Sequence, residues 1–286
     1  MSKHHFGGQW TLIKLDILKK YLNAYTTSLK KQNFRLLYID AFAGSGEFSF
    51  VDDSPNLELE IPKFEASFDG SARIATEIDT PFDEYHFIEQ DNNRFKSLEK
   101  LKSEKINLNI NLVNGDANKV LTNICENTPW KNTRAVIFLD PYGMSVSWET
   151  LETISKTKSI DCWYLYPLSA IYRQAAHDFD SVDTHKAKKL DFVLGTDEWR
   201  TEFYKKSKQE DLFTKQNNLE RSVDVNQIED FMTKRLKIIF PSVNEPPYRL
   251  YKNTTPMFTL FFVISNPSIK ALKLASNISK GILKSY

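Results

Sequence analysis

Two hydrophobic periods alternate along the first 166 residues of the chain. Leu12, Ile13, Leu15, Ile17, Leu18, Tyr21, Leu22, Tyr25 and Leu29 recur at helical spacing, predicting an amphipathic helix over 11–31 with Thr11 as its cap. A compact apolar run at 35–40 then reads as a strand. Residues 48–68, with Pro55, Pro62 and many acids, break the pattern and read as an inserted loop or hairpin. Asp69-Gly70-Ser71 opens a helix to Ile78. Strands are predicted at 85–89, 108–113, 135–140 and 161–166, and helices at 93–102, 118–126 and 148–156. The run 135–139 is apolar throughout, as in a strand buried on both faces of a parallel sheet. Strand and helix in strict alternation imply stacked βαβ units, hence an α/β, Rossmann-like fold.

The pattern changes after Pro167. Residues 169–222 are polar, helical and mixed in charge, and show no good strand. A helix at 228–239, strands at 248–251 and 258–264 separated by Asn253-Thr254-Thr255-Pro256, and a helix at 268–284 close the chain. The expected organisation is one domain over 1–286, with an acidic insertion at about 47–68 and a helical insert at about 169–222 before the last two strands.

Composition is that of a soluble globular protein, with 41% hydrophobic and 26% charged residues and no membrane-spanning run. The first residues carry no apolar leader, and Cys125 and Cys162 lack metal-ligand spacing. A cytoplasmic protein without a metal site is expected. The net charge of +1 is unevenly spread: Asp16 is the only carboxylate among the first 39 residues, against seven lysines and arginines. From Pro246 onward there are six basic residues and no acid. Such termini are either solvated helix faces or a phosphate-attracting surface.

Four acids stand at or just beyond successive strand ends: Asp40, Glu89, Asp116 and Asp140. Alone, each has the ordinary role of helix cap or surface charge. In an open parallel sheet, however, the carboxyl ends of the strands share one crevice. The first strand leads into Asp40-Ala41-Phe42-Ala43-Gly44-Ser45-Gly46, whose glycines allow a tight turn and close backbone approach to a ligand. A third glycine is missing and no Gly-Lys-Ser/Thr follows, which argues against both a standard NAD site and a P-loop. An adenosyl ligand without pyrophosphate, S-adenosylmethionine, suits the pattern better. Gly44 and Gly46, with Phe42 and Ala43, would pass its methionine portion and Asp40 would attract the ammonium. Glu89, beside Gln90, would take the ribose hydroxyls, and Asp116 or the amide of Ala117 the adenine amine.

The fourth strand ends in Asp140-Pro141-Tyr142-Gly143. It resembles the Asp/Asn-Pro-Pro-aromatic sequence of methyltransferases that act on exocyclic amines, and is nearer the Asp-Pro-Phe-Gly of tRNA guanine-N2 methyltransferases. The resemblance implies that Asp140 and Pro141 accept hydrogen bonds from the amine while Tyr142 stacks on a nucleic-acid base lifted out of its helix. As a turn alone, Pro141 and Gly143 would redirect the chain and Tyr142 would pack. A segment closing over the cofactor in some such enzymes corresponds here to His5, Phe6 and Gly7, with Lys14 near it; the polar side of the first helix is an equal alternative for Lys14. Tyr164, Tyr166, Pro167 and Tyr172 are either a seat for a planar acceptor or core.

Taken together, His5-Phe6-Gly7-Gly8-Gln9-Trp10, residues 14–22, Tyr38–Gly44, Phe138–Met144 and Trp163–Leu168 resemble the three-Cys-motif partner (TcmP) family over most of residues 1–175. That resemblance implies a class I methyltransferase fold using S-adenosylmethionine, working with a protein that carries a three-cysteine motif absent from this chain. The competing expectation is a non-catalytic Rossmann-like adaptor that binds an adenosyl ligand or nucleic acid. A magnesium-dependent nuclease is a weaker third, because no acids have the spacing that metal needs.

Overall fold

A computed structural model of the chain describes residues 9–50, 66–206 and 219–286. Helix α1 (Gln9–Leu29) precedes strand β1 (Arg35–Asp40); a hairpin, β2 (Glu47–Phe50) and β3 (Ala66–Asp69), then leads to the short α2 (Ser71–Thr76). There follow β4 (Glu84–Glu89), α3 (Asn92–Glu104), β5 (Ile110–Asn114), α4 (Ala117–Asn127), β6 (Thr133–Leu139), α5 (Trp148–Lys156) and β7 (Ile160–Tyr166). The insert contains α6 (Leu168–Gln174), a 3₁₀ turn, α7 (Thr184–Leu194), α8 (Trp199–Phe203), β8 (Tyr204–Lys206) and β9 (Leu219–Arg221). The chain ends with α9 (Val225–Ile239), β10 (Ser242–Val243), β11 (Tyr248–Lys252), β12 (Thr255–Ile264) and α10 (Ile269–Leu283).

The main sheet runs β5-β4-β1-β6-β7-β12, parallel except for β12, with β10 and β11 both pairing antiparallel to β12 along its outer edge. The chain order reverses at β1, which lies between β4 and β6, so the crevice for a ligand lies beyond the carboxyl ends of these strands. This is the Rossmann-like sheet of class I methyltransferases. Both faces are covered because the strands alternate apolar residues in both directions. Leu37, Ile39, Ile137 and Leu139 pack toward α4, α5 and the insert. Leu36, Tyr38, Val136 and Phe138 pack toward α1, α2 and α10. At about 1.5–3 kcal/mol per large buried side chain, these layers fix the strand ends that carry the chemistry.

Four expectations need correction. Thr11 lies inside α1, which begins two residues earlier, so it does not cap it. The insert does contain strands: β8 and β9 pair antiparallel, and Arg221 ties them down by donating to the carbonyls of Tyr172 and Ala175. The sheet closes with three strands after the insert rather than two, since β10 also joins β12. The separator at 253–256 shrinks to Asn253 and Thr254, because Lys252 already pairs with Thr255; Asn253 takes the left-handed conformation (φ 56°) of a tight hairpin turn. Of the acidic insertion only the flanking β2–β3 pair is described, and residues 51–65 lie outside the described residues, as do His5, Phe6, Gly7 and 207–218 of the insert.

Candidate active site

Two clefts open at the carboxyl ends of β1, β4 and β6, and they share Phe42 and Tyr142. The first, about 210 Å³, lies between the first turns of α1, the loop 42–47 and Asp140-Pro141-Tyr142-Gly143. The second, about 250 Å³, lies between the ends of β4 and β5, the start of α4, and α7.

Glu89 binds the loops together at the second cleft. Its carboxylate accepts from the Gly44 amide (3.0 Å) and the Asp91 amide (2.8 Å), so it is 5% exposed yet lines the cleft with lone pairs to spare. The Ala43 amide also donates to the Ile88 carbonyl at 3.0 Å, locking the β1 loop onto β4. Gly44 (φ 64°) and Gly46 (φ 76°) occupy the left-handed region, where a side chain would strain the backbone. Gln90 and Ala117 line the second cleft. Asp116 has both roles weighed for it: it lines this cleft and caps α4 by accepting from the Lys119 amide at 3.0 Å.

In the first cleft, Lys14 is buried and its Nζ donates to Asp140 Oδ2 while lying 5.1 Å from the Trp10 ring centroid. Trp10 in turn packs 4.8 Å from Phe258 of β12. Pro141 and Gly143 line the same cleft. Tyr142 is 47% exposed, and the Arg94 guanidinium lies 4.3 Å from its ring centroid. Two buried polar atoms facing this region, Thr11 Oγ1 and Arg94 Nε, have no hydrogen-bond partner among the described residues, although both side chains line the cleft.

Two anticipated contacts lie elsewhere. Asp40 is fully buried and lines neither cleft. It accepts from the Phe42 amide (3.3 Å) and interacts with the hydroxyl of Ser71, which does line the first cleft. Burial pushes its carboxyl up to about 7, the nearby Asp140 adding to the effect and the Ser71 hydroxyl opposing it. Tyr166 is fully buried at the end of β7, 5.7 Å from Phe261 by ring centroids, and is core rather than an acceptor seat. Phe6 lies outside the described residues.

Several lining residues carried no sequence signal. Lys189 and Phe192 of α7 wall the second cleft, with Lys189 Nζ 4.9 Å from the Phe192 ring centroid. Asn118 on α4 braces the loop after β6 by donating to the Ser145 carbonyl and accepting from the Ser147 amide. Among the described residues no three His, Cys, Asp or Glu side chains are grouped to hold a metal ion, and no helix is long and apolar enough to cross a membrane.

No protein-family model matches the chain, and no curated protein sequence does. The fold is similar to that of protein LPL1258 of Legionella pneumophila, from family DUF519, at a TM-score of 0.52 and 16% identity, covering 98% of this chain and 94% of that one. An S-adenosylmethionine-dependent methyltransferase from Clostridium acetobutylicum aligns over 89% of this chain and 95% of its own, with a TM-score of 0.36 and 12% identity. The putative Escherichia coli methyltransferase YhhF covers 52% of this chain at a TM-score of 0.32. At such identities the likeness establishes a class I methyltransferase-like fold and nothing finer.

Proposed function

We propose that the protein is an S-adenosylmethionine-dependent methyltransferase whose acceptor is an exocyclic amine of a nucleic-acid base. The observation that carries this reading is a bipartite cleft at the switch point of the sheet, with Glu89 in one half and the Lys14–Asp140 pair in the other.

The donor set fits an adenosyl amino acid. Glu89 offers free lone pairs to a vicinal diol, and Gln90, Asp116 and the start of α4 offer polar partners to an adenine. In the other half, Thr11 Oγ1, Arg94 Nε and the Ser71 hydroxyl are groups that an amino-acid head would satisfy. The expected direct role of Asp40 becomes an indirect one, orienting Ser71. When bound, S-adenosylmethionine supplies an electrophilic methyl on a good leaving group, so the chain's task is alignment rather than strong acid–base chemistry.

Asp140 and the Pro141 carbonyl accept hydrogen bonds from the acceptor amine and turn its lone pair into the cleft. Lys14 holds the Asp140 carboxylate in place from the opposite side. Tyr142, exposed and backed by Arg94, offers a π-face to the base. A protein with a three-cysteine motif is the proposed partner, supported by the resemblance of residues 5–22 and 138–144 to the TcmP family.

Calorimetry with S-adenosylmethionine and S-adenosylhomocysteine tests the reading. One site per chain for each is expected, weakened at least tenfold by Glu89→Gln; absence of binding to either ligand rejects it.

A further inference from the structure

α10 carries Lys270, Lys273, Lys280 and Lys284 and no acid, and none of the clefts described above uses them. Together with Asn277 they recur at intervals of three, four, three and four, which is one face of a helix. All five side chains are exposed. The opposite side of the helix, including Leu272, Ala275, Ile278 and Ile282, packs on the sheet. Among the described residues, none of the four lysines is in an ion pair.

The arrangement costs the helix stability. Lys270 and Lys273, and Lys280 and Lys284, are like charges three and four residues apart, which repel on a helix surface. Lys270 also sits in the first turn, where the helix dipole disfavours a cation. Packing gains nothing from this face, so its benefit must come from something that binds it.

The position of α10 says what that is. It lies beside α1: Lys20 donates to the Tyr286 hydroxyl at 2.7 Å, and that hydroxyl donates to Asp16. One to two turns nearer the start of α1 are Trp10, Thr11 and Lys14, which line the first cleft. The stripe, about 21 Å long at 1.5 Å per residue, thus leads toward the cleft rim. Lys19 on α1 and Lys252 on the β11–β12 hairpin are exposed and add to the field. A bilayer is the poorer match, because an interfacial helix needs an exposed apolar face and this one is buried against the sheet.

We infer that the outer face of α10 is a nucleic-acid-binding surface, its lysine stripe tracking the phosphate backbone of a strand that continues to the first cleft. Entry of a base into that cleft rests on the proposed methyltransferase reading; phosphate binding by the stripe does not.

The test is fluorescence anisotropy with a labelled 20-nucleotide RNA and a 20-base-pair DNA duplex from 50 to 200 mM KCl. Wild type is compared with the quadruple variant K270Q/K273Q/K280Q/K284Q, and glutamine keeps the helix propensity of lysine. Wild type should bind at least one probe, and the variant should bind it more than about tenfold more weakly at 100 mM, with a log–log salt slope shallower by about 3. Its melting temperature should be equal or higher, because the repulsion is gone. Three results overturn the inference: equal affinity of the two proteins, wild-type binding to neither probe, or binding that polyglutamate or phosphatidylserine vesicles reproduce. A variant that loses its fold overturns it too, since the lysines would then be structural. Calorimetry with S-adenosylhomocysteine runs in parallel; failure of wild type there rejects the methyltransferase reading and leaves the surface standing.

Discussion

Lys14 Nζ on the first helix donates to Asp140 Oδ2 at the end of β6, across 126 positions of sequence. This ion pair closes one wall of the first cleft and fixes the carboxylate proposed to hold the acceptor amine. Asp140→Ala should lower kcat by about 100-fold or more, the scale of losing one transition-state hydrogen-bonding group, while the affinity for S-adenosylhomocysteine stays within threefold. Lys14→Met should lower kcat by about tenfold, and the double variant should be no worse than Asp140→Ala, because the two act as a unit. Single-turnover rates and calorimetry on the three variants check this; equal loss of cofactor affinity contradicts the division of roles.

Phe192 is 38% exposed and faces the cleft that also holds Glu89 and Asp116. Its helix is clamped from behind: Arg235 donates to the carbonyls of Leu194 and Gly195, and a Cβ on Gly195 would come within 1.9 Å of Trp148. An adenine would cover the ring, so Phe192→Ala should weaken S-adenosylhomocysteine binding by about tenfold and Phe192→Tyr should not. At saturating cofactor, kcat should be unchanged in both. Calorimetry read against the melting temperature separates this from a folding defect.

Tyr142 offers one ring face to solvent while Arg94 lies over the ring at 4.3 Å. Stacking on a base is worth about 1–3 kcal/mol, so Tyr142→Ala should raise the acceptor KM about tenfold or more. Tyr142→Phe keeps the π-face and should stay near wild type. Steady-state kinetics with the acceptor varied makes the distinction, and equal effects of the two variants would assign the role to the hydroxyl.

Buried Asp161 accepts from the Tyr21 hydroxyl at 2.7 Å, and burial pushes its carboxyl from 3.8 up to about 7. The folded chain therefore holds this proton more tightly than the unfolded one. Its contribution to stability is full below about pH 4 and is lost as pH rises toward 7. Asp161→Asn removes that dependence, so the variant should gain on wild type between pH 4 and 7 and then level off. His86, pushed down to about 4 by burial, acts in the opposite sense, but equally in both proteins. Urea unfolding at pH 4.5, 6 and 7.5 reads the difference; a constant offset contradicts the assignment.

Most of the sheet was legible because strands covered on both faces leave continuous apolar runs, as in 135–139, and their ends are marked by acids and glycines. The site was legible only where backbone position fixes the side chain. Glu89 and Asp140 follow directly from ending a parallel strand. Asp40 does too, yet it points behind Ser71, a distinction that depends on how α2 packs. Nothing local tells whether a lysine on an amphipathic helix faces water or a cleft, so Lys14 stayed undecided until α1 was set against β6. Tyr166 misled because aromatic residues are equally at home in a core strand, and here Phe261 and the insert cover it. Lys189 and Phe192 were invisible, since an insert without a motif reveals neither its packing nor its neighbours.

The most direct measurement of the central claim is transfer of labelled methyl from S-adenosylmethionine into separated RNA, DNA and protein fractions of a lysate. The account predicts label in a nucleic-acid fraction with wild type and none above background with Asp140→Ala, although that variant still binds S-adenosylhomocysteine. Label confined to protein, or equal incorporation by Asp140→Ala, would contradict it.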